Sequence, residues 1–253
     1  MLCVTDGACR SRSPTRNEAS LRVAALYDTH ANLPALEAVL RDVREAEVEA
    51  IVFGGDDLAG PWPAETAAVL ESLELPTYRV RGNADRELTG APGRAPAELL
   101  EWARGRINAS TLTAIEQLPL TQMLDVDGLG PVLFCHATPR NDTEIRTVLS
   151  PDERWSEVLA GVEQRTVVVG HTHVQFDRVV GEVRVVNAGS VGMAYEDQPG
   201  AYWAVLGPDV ELRRSEYDVD AMHAALPGLA YPVEWGEATA AEASEYFESI
   251  AYD

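Results

Sequence analysis

The chain contains no lysine; all 20 of its basic residues are arginine. That absence excludes chemistry that needs an amine side chain, including a P-loop, a kinase phosphate lysine and a Schiff-base enzyme. Basic charge is scarce altogether, with 20 basic against 41 acidic residues and a formal net charge of -21. Nucleic-acid binding draws most of its affinity from basic side chains that neutralise phosphates, and no basic stretch is segregated here, so long DNA or RNA is not an expected partner. Cysteine is sparse and odd in number. Cys3, Cys9 and Cys135 admit neither a disulfide framework nor a CxxC metal site, and a reducing cytoplasm fits them best. No apolar run approaches the ~18 residues of a membrane span, and no apolar h-region precedes a cleavage site. The expectation is a soluble, cytoplasmic protein with no membrane partner.

What is present is ordinary globular composition, 253 residues with 46% hydrophobic side chains, enough for one sizeable core. Residues 1–20 are polar and aperiodic and read as a flexible tail, residues 21–235 as one domain, and residues 236–253 as an acidic tail or loose helix. From Leu21 the pattern repeats as strand and helix: strands at 21–27, 50–53 and 77–80, and helices at 33–45 and 63–73 with Pro34 and Pro63 in their first turns. Short apolar strands in a βαβαβ order point to a buried parallel sheet. Residues 95–117 read as helix in two pieces, a cap or insertion bordering a site. Beyond them the chain is mostly β, with strands at 121–125, 131–135, 166–169, 174–180, 182–186, 202–206 and 210–216, interrupted by a helix at 152–159.

Histidine is also scarce, and four of the five histidines stand at strand ends. The apolar runs stop at Asp28-Thr29-His30, Gly55-Asp56, Gly82-Asn83, Cys135-His136 and Gly170-His171-Thr172-His173. Carboxyl ends of strands in an open α/β sheet share one edge, where ligands bind, so Asp28, His30, Asp56, Asn83, His136, His171 and His173 can converge. Two carboxylates, one amide carbonyl and four imidazoles suit Mn, Fe, Zn or Co rather than Ca or Mg. Seven donors exceed what one tetrahedral ion needs. Two ions sharing a carboxylate can clamp the attacking and leaving oxygens of a phosphoryl group and lower the pKa of a water, which points to phosphoester hydrolysis.

From Leu21 to Glu216 these motifs, followed by Asn187-Ala188-Gly189-Ser190-Val191-Gly192, resemble the calcineurin-like metallophosphoesterases, particularly their small bacterial and archaeal phosphodiesterase branch. The resemblance implies a four-layer αββα sandwich, two mixed β-sheets flanked by helices. It also implies two divalent or trivalent transition-metal ions: one on Asp28, His30, Asp56 and His173, the other on Asp56, Asn83, His136 and His171. Asp56 would bridge them, a metal-bound hydroxide would be the nucleophile, and a small phosphoester would be the substrate. Ala31 and Ala137 stand where the family usually has glycine. Ala84 stands where many relatives place a histidine thought to protonate the leaving group, so no side-chain acid is assigned.

Other readings stay open at this stage. Asn32 suits a phosphate contact or a cap for the helix at Leu33, and Arg140 suits a phosphate or a surface ion pair. His223 and Cys135 fit no motif and read as structural residues. A non-catalytic metal-binding scaffold on the same fold is the alternative function, as in a retromer subunit of this architecture. Ser190 sits in an approximate nucleophile elbow followed by acidic residues and His223 in the order of a serine hydrolase, but an elbow must launch a helix, and Pro199-Gly200 breaks the chain soon after.

Overall fold

The computed structural model describes residues 20–251. The tail expected over residues 1–20 therefore lies, except for Ser20, outside the described residues.

The first half alternates as expected: β1 (Val23–Leu26), α1 (Leu33–Glu45), β2 (Ala50–Phe53), α2 (Pro63–Glu71) and β3 (Thr77–Arg79). Helix α1 starts where it does because Asn32 Oδ1 accepts from Ala35 N at 3.2 Å and Pro34 presets the first turn. Three helices follow, α3 (Asn83–Leu88), α4 (Ala97–Arg104) and α5 (Ala109–Glu116). The last two are the expected helical pieces, whereas α3 is too short to show a periodic apolar face. Strands β4 (Thr121–Val126) and β5 (Gly130–Cys135) lead to α6 (Asp152–Leu159). After it come β6 (Thr166–Val169), β7 (Phe176–Val180), β8 (Val183–Asn187), β9 (Ala201–Leu206) and β10 (Val210–Ser215), and then α7 (Val219–Ala225) and α8 (Ala240–Ile250).

The strands form two mixed five-stranded sheets, ordered β10-β9-β1-β2-β3 and β4-β5-β6-β8-β7. In the first, β1, β2 and β3 are parallel and β9 joins β1 antiparallel. In the second, β5, β6 and β8 are parallel. Strand parity then sorts the side chains into three apolar layers. Ala24 and Leu26 of β1 meet Leu36, Val39 and Val43 of α1. Val23, Ala25 and Tyr27 turn the other way, onto Val132, Phe134, Val168 and Val186 of the second sheet. Val167, Val169 and Val185 face Trp155, Val158 and Leu159 of α6. Helix, sheet, sheet, helix is the resulting order. Each fully buried aliphatic or aromatic chain contributes roughly 1.5–3 kcal/mol, so single strands buried on both faces, such as β1 and β2, are the strongest local determinants of the sandwich.

The closing segment, expected as an acidic tail or loose helix, contains α8. Its acidic composition hides a specific anchor: Glu248 of α8 accepts from Thr147 Oγ1 at 2.9 Å, from Arg154 at 3.0 Å and from Ser150 Oγ. Thr239 caps the helix reciprocally with Glu242. Among the described residues, no helix is long and apolar enough to cross a membrane.

Candidate metal centre

All parallel strands of both sheets deliver their carboxyl ends to one region, and the chain leaves them by sharp turns. Asp28, His30, Ala31, Asp56, His171 and His173 all have φ between +45° and +66°, the left-handed region that non-glycine residues seldom occupy. Five of these six are candidate ligands. Such conformations persist only where the surroundings over-determine them, and they cluster at functional sites. Small residues beside them are required sterically: a Cβ on Gly82 would overlap Asp56 Oδ1, and one on Gly170 would stand 2.5 Å from Asp28 Oδ2.

The imidazoles are aimed by backbone carbonyls. Nδ1 of His30, His136 and His173 lies 3.3, 2.9 and 2.7 Å from the carbonyls of Ala59, Gly54 and Met193. A ring that donates from Nδ1 presents Nε2 as a bare lone pair, the usual orientation device for a metal-binding histidine. Those lone pairs converge. Nε2 of His30 and of His173 are 3.2 Å apart, and His173 Nε2 is 3.2 Å from Asp28 Oδ1. His136 Nε2 lies 3.2 Å from Asn83 Oδ1 and 3.4 Å from Asp56 Oδ2. Acceptors facing one another at such distances repel unless a cation lies between them. With ligand bonds of ~2.0–2.2 Å, adjacent ligands of one ion stand about 3.0–3.6 Å apart, which is the spacing found.

Asp28 Oδ1 carries the same message, being buried without a hydrogen-bond partner. Its second oxygen accepts from His171 N at 2.8 Å, which fixes the carboxylate's direction. Two groups able to hold an ion emerge, Asp28–His30–His173 and Asp28–Asp56–His136. Asn83 touches the second, and the His171 ring lies 5.1 Å from that of His136. All seven residues singled out at strand ends are thus brought together. Asp28, rather than Asp56, is common to the two groups, although His30, His136 and His171 all act on the Asp56 charge.

Charge in this cluster is strongly perturbed. Burial raises the carboxyls of Asp28 and Asp56, but the surrounding imidazoles outweigh it and hold both below the ordinary range. Burial would lower His136, yet Asp56 and Asp28 push it up to about 10. Burial and the neighbouring His136 push His171 down to about 4.

Beneath the ligands lies a group to which sequence reasoning assigned no role, although Asp85 closes the Gly82-Asn83-Ala84-Asp85 motif. Asp85 accepts from the backbone N–H of Asp56 at 2.8 Å, of Gly82 at 3.0 Å and of Asp57 at 3.3 Å. Asp57, fully buried, receives Arg79 at 2.8 Å. Burial, with Asp57 and Asp56 nearby, pushes Asp85 up to about 7, and Arg79 supplies the opposing charge. An arginine within the short strand β3 was the available signal. Tyr195 was missed too: its ring stacks on His173 with centroids 5.1 Å apart and an interplanar angle of 21°.

The remaining candidates fall elsewhere. Asn32 is fully buried; besides capping α1 it donates to Gly192 O at 2.8 Å and Tyr217 Oη at 3.2 Å, so its amide is engaged by the protein. Arg140 forks onto Glu144 and also reaches Glu157 O at 3.4 Å, which resolves it as a surface ion pair. Ala84, in the first turn of α3, is buried in the core on the helix side of the first sheet, with its N–H donating to Asp56 Oδ1 at 2.7 Å. Ser190 is no elbow nucleophile: its buried hydroxyl donates to Asp28 O at 2.8 Å and accepts from Met193 N at 2.8 Å, and no helix follows it. His223 pairs with Glu237 at 3.4 Å, and Cys135 is buried under α6.

The fold and the ligand cluster together define a metallophosphoesterase-like protein. The calcineurin-like phosphoesterase superfamily domain matches residues 21–207, and the chain belongs to that family. An uncharacterised protein of Methanocaldococcus jannaschii is 26% identical over 237 residues, covering 84% of this chain and 94% of its own. A metallophosphoesterase of Sphaerobacter thermophilus superposes with a TM-score of 0.66 at 26% identity, covering 84% and 95% of the two chains. A hypothetical protein of Pyrococcus horikoshii OT3 shares the fold with a TM-score of 0.74 at 19% identity, covering 83% and 94%.

Proposed function

We propose that this protein is a phosphoester hydrolase, acting on small phosphodiesters with two transition-metal ions. The observation that carries the reading is the set of three carbonyl-oriented imidazoles whose Nε2 atoms face Asp28, Asp56, Asn83 and one another. His30, His173 and Asp28 would hold one ion, and His136, His171 and Asn83 the other, with Asp56 between them. Mn, Fe, Zn or Co suits such mixed nitrogen and oxygen donors. When bound, such ions supply a nucleophilic water at neutral pH and compensate charge on the phosphoryl oxygens. The chain's own part is positional. Carbonyls of Gly54, Ala59 and Met193 hold the rings with Nε2 turned towards the other candidate ligands, and Asp85 holds the Asp56 backbone in its left-handed turn. The net charge of -21 disfavours long nucleic acid, so substrates are small. Cysteines without a framework support a cytoplasmic location.

The similarity to a protein described as a metallophosphoesterase supports the same reading. The test is metal content alongside hydrolysis of bis(p-nitrophenyl) phosphate and p-nitrophenyl phosphate with Mn, Fe, Zn and Co. We expect two metal equivalents, diester cleavage, and loss of both in a folded Asp56→Ala variant. Two bound metals with no ester cleaved would instead favour the non-catalytic scaffold, and Asp56→Ala retaining two equivalents would refute Asp56 as the shared ligand.

A further inference from the structure

A cavity of about 410 Å³ is lined by Tyr195, whose ring stacks on that of His173. Its walls are aromatic: Tyr195 and Phe247 rings lie 6.3 Å apart, and Tyr246 stands edge-on to Phe247 at 5.6 Å and 65°. Tyr246 is 59% exposed, leaving ring surface available to a ligand. Gly236, Ala238 and Ala243 add small residues to its wall, and a Cβ on Gly236 would stand 3.1 Å from Tyr195 Oη. The volume lies within the ~300–1,000 Å³ typical of small-molecule sites.

Two further features say what fits. Tyr195 forms a wall of the cavity while stacking on a candidate ligand, so one ring borders both cavity and metal centre. Glu237 and Glu242 also line the cavity, giving it negative charge. A phosphate is turned away from such a rim towards the imidazole-rich centre, whereas a planar ring bearing N–H donors is favoured inside. We infer that this cavity is a stacking subsite for the nucleobase of a nucleotide-type phosphoester, an inference that rests on the phosphoesterase reading above. Aromatic side chains accept any base because every base presents a π face, and helix α8, anchored through Glu248, brings Tyr246 and Phe247 to the position required.

The test needs no metal and no turnover. Full-length protein freed of metal with EDTA is titrated with adenosine and with ribose 5-phosphate, by calorimetry and saturation-transfer NMR. Adenosine should bind and ribose 5-phosphate should not; Tyr246→Ala should weaken adenosine at least about fivefold, and Tyr246→Trp should match or exceed the wild type. Absence of adenosine binding at millimolar concentration, or an affinity unchanged in a Tyr246→Ala protein of normal melting temperature, overturns the subsite. Ester hydrolysis without adenosine binding removes this inference alone. Adenosine binding that depends on Tyr246 in a protein that cleaves no ester keeps the subsite and removes the hydrolase reading.

Discussion

Removal of the Arg79 guanidinium probes how the centre is held from beneath. Asp57 is fully buried, its carboxylate lies 2.8 Å from Arg79, and Asp85 is buried against the same loop. Arg79→Met keeps most of the side-chain stem and deletes the charge, so two buried carboxylates lose their cation. Breaking a buried pair by removing one partner costs ~3–5 kcal/mol. The Arg79 side chain is 21% exposed, and water can partly replace it, which places the expected loss near the lower end, about 3 kcal/mol. In a chain of this length that corresponds to a fall of roughly 6–12 °C in melting temperature. Urea denaturation should be run in EDTA, because metal bound to the native state would otherwise mask the loss. Asp57→Asn in the Arg79→Met background removes one of the stranded charges and should recover about half of the deficit, a coupling that a double-mutant cycle measures directly. A loss below ~1 kcal/mol for Arg79→Met, or a double variant no more stable than the single one, would refute the view that this pair supports the Asp56 turn.

Three other outcomes are expected. Glu248→Ala should cost about 1–3 kcal/mol and speed amide exchange over residues 240–250, since Thr147, Ser150 and Arg154 all donate to that carboxylate; unchanged exchange protection there would contradict the anchoring role. Burial pushes the Cys135 thiol well above its ordinary range, so its peptide should resist iodoacetamide in the native protein and be labelled only after unfolding, as mass spectrometry can show. Because Ala84 packs into the core and offers no proton donor, hydrolysis should depend steeply on leaving-group pKa, with alkyl esters trailing aryl esters by the ~10²–10⁴-fold that a general acid usually supplies. A flat dependence across a series of diesters would show that another group protonates the leaving oxygen.

Much of this protein was legible in one dimension. Helix α1 and strand β2 fall at the residues expected, because Asn32, Pro34 and the surrounding apolar periodicity are local signals. Six-residue α3 was not anticipated, being too short for a period to emerge, whereas β3 lies within the strand expected at 77–80. The seven strand-end residues were identifiable because the carboxyl edge of a parallel sheet gathers loops regardless of their order in the chain. Tertiary structure decided the rest. Whether Asn32 caps a helix or meets a ligand depends on Gly192 and Tyr217, 160 and 185 residues further on. Arg140 became a surface ion pair through Glu144, one of two outcomes its sequence position allowed. The docked α8 depends on residues 94–101 positions before Glu248, and the lone pairs of His30, His136 and His173 are set by carbonyls 20–82 residues distant. Periodicity and capping act within a turn or two of chain and can be read there. Hydrogen-bond partners, ring tautomers and the cation that a buried carboxylate requires are set by whichever residues the packed sheets bring within a few ångströms, and they exist only once the two sheets have closed on each other.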